Sequence, residues 1–226
     1  MFWNHFFQYP AESWYHTAEW WTAIGTIILG AAAFAALFLQ DIISRLYSQT
    51  RLNSSIRVAP PDCHMIQTQG MGYVHYVRMK VENIGKHVAQ NVEVMIDTCW
   101  RIHENGTREE VKTFLPMNLK WSHYGGVVTM PRILSKHFRH CDIGFVGKYG
   151  GSRPEVQFHV DTVVDPNSVA GGIYPNLLPP GKYQFNLLIG ADNVPTYEQS
   201  YQVSFTGTFY TTEEEMFSKS LSIQPL

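Results

Sequence analysis

Two apolar periods divide the chain. From Trp20 to Leu39 the segment "WWTAIGTIILGAAAFAALFL" holds no charge, and only Thr22 and Thr26 interrupt its apolar and glycine positions. At about 1.5 Å per residue it makes roughly 30 Å of helix, the hydrocarbon thickness of a bilayer. A buried helix of a soluble core is usually shorter and shows polar positions every third or fourth residue, whereas this segment is apolar around its circumference. A cleaved secretory signal is the other alternative, but it needs a basic leading region, and residues 1–44 contain no Lys or Arg. A transmembrane helix over 20–40 fits best. Ile42, Ile43, Leu46 and Tyr47 continue the helical spacing, and Asn53, Ser54 and Ser55 read as its end, giving a juxtamembrane helix and linker over 41–55.

Beyond Ile56 the period drops to two. "YVHYVRMKVEN" alternates Tyr73, His75, Val77, Met79 and Val81 against Val74, Tyr76, Arg78, Lys80 and Glu82, and "NVEVMIDTCWRI" is rich in β-branched and aromatic residues. Between "CWRI" and "EEVKTFLP" the dipeptide Asn105-Gly106 predicts a two-residue hairpin turn with positive φ at both residues. Asn105 also opens an Asn-x-Thr sequon, the weaker reading of the same residues. "HCDIGFVGKYG", "EVQFHVDTVV", "GKYQFNLLIGADN" and "YEQSYQVSFTGTFY" follow as further strands bounded by Gly, Pro, Asn or Asp, with no helix-length period between them. The pattern predicts a mainly β chain: an antiparallel β-sandwich of seven to nine strands over 56–210, preceded by the one helix. Thr212 and Glu215 form a capping-box pair, so 211–226 is a short helix or an acidic tail.

Charge sets the orientation. Arg45, Arg51 and Arg57 follow the apolar run, and cationic residues are retained on the cytoplasmic side, so the C-terminal domain is expected in the cytosol and the N terminus outside. The tail over 1–19 leads into the span through an aromatic-dense stretch of nine rings in its first 21 residues: Phe2, Trp3, Phe6, Phe7, Tyr9, Trp14, Tyr15, Trp20 and Trp21. These suit an aromatic belt at the headgroup level, or a docking segment for another membrane protein. The net charge of −2 and the lack of a Lys/Arg run in the sequence argue against nucleic acid as a partner and against a polybasic lipid patch. Cys63, Cys99 and Cys141 lack CxxC spacing and read as free thiols in a reducing cytosol, or as one disulfide and a spare thiol if the domain lies outside.

Two stretches carry a family likeness. "VENIGKHVAQNVEVMI", Val81 to Ile96, resembles the strand-turn-strand of adhesion-related (CARDB-type) bacterial immunoglobulin-like domains. "LPPGKYQFNLLIGADN", Leu178 to Asn193, is similar to the Pro-Gly-x-Tyr turn that leads into a late strand of fibronectin-type sandwiches. That resemblance implies a tyrosine-corner role for Tyr183, its hydroxyl tied to nearby backbone, with Phe185, Leu187 and Ile189 alternating inward. The layout as a whole resembles single-pass proteins of the bacterial inner membrane that carry such a domain.

Chemistry is sparse. "SKHFRHCD" gathers His137, His140, Cys141 and Asp142, but a strand points His137 and His140 to opposite faces, and no second ligand pair stands at a zinc-site spacing. Cys141 as a nucleophile needs a base beside it in space, and its neighbour His140 faces away. "GKYGGS" and "AGGIYP" lack the strand-to-helix setting of a phosphate loop. No catalytic, cofactor or metal residue is therefore assigned. The expected role is a membrane-anchored binding or scaffolding module, a partner-binding subunit at the cytosolic face; the alternative is a tethered enzyme with a loop-assembled His/Cys site. Its expected partners are membrane lipid and a protein or second copy packed on the small-residue stripe Thr22, Thr26 and Gly30.

Overall fold

A computed structural model describes residues 12–47, 50–68, 72–147, 156–163 and 175–226. Phe2 to Tyr9 of the aromatic tail and most of "GKYGGS" and "AGGIYP" lie outside these residues. Two compact units make up the chain, one before and one after the Ser48–Gln49 junction.

The first unit is helix α1 (Glu12–Tyr47), in which Glu19–Gln40 is long and apolar enough to cross a membrane. Among the described residues Trp20, Trp21, Ile27 and Leu29 of that stretch are each at least 70% exposed.

The second unit is an antiparallel β-sandwich of β1 (Leu52–Ser55), β2 (Cys63–Thr68), β3 (Gly72–Asn83), β4 (Ala89–Ile102), β5 (Arg108–Glu110), β6 (Met117–Asn118), β7 (Lys120–Trp121), β8 (Thr129–Ile133), β9 (Phe138–Gly147), β10 (Gln157–Val160), β11 (Leu177–Leu178), β12 (Gly181–Ala191), β13 (Val194–Phe205) and β14 (Leu221–Pro225). One sheet runs β1-β3-β9-β10-β11, with β2 also on β3 and β7 also on β9. The other runs β14-β13-β12-β4-β5, with β6 and β8 also on β4. The long strands each serve several short partners in series, which is why the strand number exceeds the seven to nine expected.

The core lies between the sheets. Val77, Met79 and Val81 of β3 and Cys141 and Ile143 of β9 are fully buried with Val92, Val94 and Ile96 of β4 and Phe185, Leu187 and Ile189 of β12. A bulge opposite Asn186 and Leu187 leaves Asp97 unpaired, so Ile96 and Cys99 both reach the core although three positions apart.

Two local readings change, and two gain detail. Asn53–Ser55, expected as the end of the helix, belong to the strand Leu52–Ser55 on β3, with Leu52 opposite Asn83; Leu52 is buried, and burial decides where polar Asn53 and Ser54 left the pattern open. The turn after β4 is a five-residue loop, not a two-residue one: Gly106 alone has positive φ, while Asn105 Oδ1 accepts from Thr107 N at 3.0 Å and Oγ1 at 2.7 Å. The strand-turn-strand around Gly85 crosses from one sheet to the other. Residues 213–225 are ordered: Thr212 caps Glu213–Glu215, a π-helical turn Met216–Ser220 follows, and β14 pairs with β13. Glu213 accepts from Met65 N at 2.7 Å, satisfying an edge donor of β2.

The middle of the chain closes a side of the sandwich. Met117–Asn118 pairs with β4 and Lys120–Trp121 with β9, so five residues pass from sheet to sheet, with Leu119 bridging Thr162. Trp121 is 1% exposed and donates Nε1–H to the Val128 carbonyl at 2.9 Å.

Tyr183 takes the corner role: it is buried, and its hydroxyl donates to the Pro179 carbonyl at 3.0 Å. Tyr183→Phe is expected to cost about 1–2 kcal/mol in denaturant unfolding; no change would remove the hydroxyl from the corner. Gly181, at the start of β12, does not have a positive φ. A Cβ there would instead meet the Tyr183 ring at 3.1 Å, so Gly181→Ala is expected to destabilise by crowding the ring.

Candidate functional site

Arg78 interrupts the inward row Val77, Met79, Val81 and points to the opposite face of its sheet. A bulge between Val77 and Arg78 brings Asp142 directly across from it on β9. Arg78 Nε donates to Asp142 Oδ1 at 2.9 Å, and Ser122 Oγ donates to the same oxygen at 2.5 Å. Arg78 Nη1 lies 3.1 Å from His64 Nε2, and because a guanidinium only donates, His64 accepts there. The cluster continues into the loop before β2: Arg78 N donates to the Asp62 carbonyl at 2.7 Å, and Asp62 takes Arg57 N at 2.8 Å and His140 Nε2 at 3.0 Å.

Burial shapes the electrostatics. It raises the Asp142 pKa, against the lowering pull of Ser122 and Arg78. It lowers the pKa of His64, helped by the Arg78 charge. Arg78, Asp142 and Ser122 are all under 10% exposed, and the Ser122 hydroxyl donates to a carboxylate held by Arg78. The arrangement ties the β1–β2 loop to the sheet.

The sequence-selected group separates in space. His137 lies in the turn before β9, its Nδ1 donating to the Ser135 carbonyl at 2.9 Å; His140 turns to Asp62; Cys141 enters the core. Among the described residues no group of three His, Cys, Asp or Glu side chains is placed to hold a metal ion. Cys63, Cys99 and Cys141 are free and buried. Burial pushes the Cys63 and Cys99 thiols up to about 12 and Cys141 well above its ordinary value, the opposite of nucleophilic activation. Sequence reasoning missed Asp62, His64, Arg78 and Ser122 as one group. The sequence shows only Arg78 in one alternating row with Lys80 and Glu82, which reads as a solvated face.

On the helix, Thr26 Oγ1 donates to the Thr22 carbonyl at 2.8 Å, so its hydroxyl is satisfied within α1. A Cβ on Gly30 would meet nothing within 4 Å. The stripe offers a smooth surface for close approach rather than an unused hydrogen bond.

His159 stacks on Phe145, ring centroids 5.0 Å apart and planes 6° from parallel, and burial pushes its pKa down to about 4. Below the ordinary value near 6.5 the unfolded chain takes up a proton that the folded chain refuses, so stability falls as pH drops from about 6.5 to about 4. At pH 5 the loss from this residue is about 2 kcal/mol relative to pH 7. Denaturant unfolding at both pH values checks this, and His159→Gln is expected to shrink the difference; an unchanged difference assigns the acid sensitivity elsewhere.

Neither a protein-family model nor a curated protein matches this sequence.

Proposed function

We propose that this protein is a single-pass membrane-anchored binding module: an immunoglobulin-like β-sandwich held at the cytosolic face of a membrane, where it scaffolds or recruits a protein partner. The carrying observation is the exposed apolar surface of α1, in a chain whose second unit has its own hydrophobic core. Leaving each large aliphatic or aromatic side chain in water forgoes about 1.5–3 kcal/mol, which lipid or another helix recovers. An anchor raises local concentration without any catalytic residue. Cytosolic placement of the domain follows from Arg45, Arg51 and Arg57, and the bacterial inner membrane is the setting that the sequence resemblance implies.

Topology is tested by fusion. A reporter that matures only in the cytosol, placed after Leu226, is expected to be active, and a thiol label on Ser13→Cys to react from outside. Activity of a periplasm-only reporter at that end overturns the orientation.

Self-association through Thr22, Thr26 and Gly30 is the partner mode the helix favours, because packing rather than hydrophobic burial drives helices together in lipid. Gly30→Leu is expected to weaken association severalfold in a membrane helix-association assay, while Leu29→Ile, off the stripe, leaves it unchanged. Equal signals from all three reduce α1 to a plain anchor.

A further inference from the structure

No run of Lys and Arg exists in the sequence, yet the fold assembles a cationic surface. The sandwich receives the chain from α1 at Thr50 and Arg51, and three connections meet at that same pole: 84–88 between β3 and β4, 134–137 between β8 and β9, and Asp192–Asn193 between β12 and β13. They are stitched together. Ile84 N and Gly85 N both donate to the Arg51 carbonyl, at 2.8 and 3.3 Å, and Lys136 N donates to the Asn83 carbonyl at 2.8 Å. Asn193 Nδ2 donates to the Val88 carbonyl at 2.8 Å.

Arg51, Lys86, Arg132 and Lys136 stand exposed on or beside these connections, Lys136 Nζ donating to the Ile84 carbonyl at 2.5 Å, and Asp192 is the exposed carboxylate of the third connection. Asp192 is engaged by Asn91 Nδ2 at 2.6 Å, and Glu82, further along β3, is paired with Lys80 at 2.7 Å. Leu134 and Phe138, 44% and 45% exposed, flank Lys136. Lys136 sits at φ +60°, held there by the Asn83 carbonyl. Cations interleaved with exposed apolar side chains match the chemistry of an anionic headgroup layer, where charge meets phosphate and carboxylate and the apolar groups reach the acyl boundary.

We propose that this pole docks on anionic phospholipid of the membrane in which the chain is anchored. The inference rests on the anchor reading above. At most about 14 Å of chain can separate Tyr47 from Arg51, and α1 runs seven residues past the apolar stretch that ends at Gln40, so the tether is short. A tether of that length supplies a high effective concentration, so an attraction too weak to bind a free domain suffices to orient a tethered one. Docking by this pole leaves the β4–β5 hairpin at the opposite end of β4, about 43 Å away by strand length, free for a partner.

The test uses the full chain in lipid nanodiscs with an environment-sensitive fluorophore on His137→Cys, selective because the native thiols are buried, and a control label on Glu104→Cys in the hairpin. With phosphatidylserine in the disc the His137→Cys label is expected to shift to the blue. It is expected to lose at least half of that shift in phosphatidylcholine alone, in 1 M salt, or in the triple variant Arg51→Gln, Lys86→Gln, Lys136→Gln. The Glu104→Cys label is expected not to shift. Equal emission in both lipids overturns the docking while leaving the anchor intact. No shift on phosphatidylserine but a salt-sensitive one on adding polyglutamate overturns it in favour of an acidic protein surface. A chain that does not stay with the disc overturns the anchor reading and the docking together.

Discussion

The side-chain amide of Asn83 is the interaction on which the sandwich turns. It is fully buried, its Nδ2 donates to the carbonyls of His87 at 2.7 Å and Ile133 at 3.0 Å, and its Oδ1 accepts from Gly85 N at 3.0 Å. Its own backbone N–H donates to the His137 carbonyl at 2.9 Å. The chain changes sheets here, and a crossing leaves backbone groups without ladder partners. Each buried group left unmade costs about 1–3 kcal/mol. One residue answers several of them, so the corner at 84–87 and the turn at 134–137 are held as one body with Arg51.

That corner links fold to surface. Because β3 ends where β4 and β9 begin, the connections that carry Lys86 and Lys136 lie together with Arg51. The opposite face of β3 is used differently: Arg78, Asp142 and Ser122 are satisfied by one another and sealed from solvent. A buried pair of this kind favours a unique arrangement more than it adds net stability. Its partners Asp62 and His64 hold the loop that precedes β2. Arg78, Asp142 and Ser122 thereby serve architecture.

Much of the architecture was legible. The uniform apolarity of 20–39 and the alternation of Val77, Met79 and Val81 need no tertiary knowledge, and the Pro-Gly-x-Tyr turn announced the bond now seen from Tyr183 to Pro179. Short elements were not legible. Asn53–Ser55 and Met117–Asn118 become strands because a long neighbour supplies the ladder, which local propensity does not record. The Arg78 cluster and the cationic pole were invisible for a related reason. Their members are separated by tens of residues, and the composition that argued against a polybasic patch counts neighbours in sequence, while charge acts between neighbours in space.

If Asn83 holds the pole as a unit, the amides that depend on it open together. Native-state hydrogen exchange of the full chain in nanodiscs, across a denaturant series, measures this directly. The backbone amides of Asn83, Ile84, Gly85, Lys136 and His137, all hydrogen-bonded within this corner, are predicted to merge into one opening with a common free energy and a common denaturant slope. Exchange of Lys136 and His137 through a separate, lower-energy opening, with Ile84 and Gly85 still protected, would contradict it.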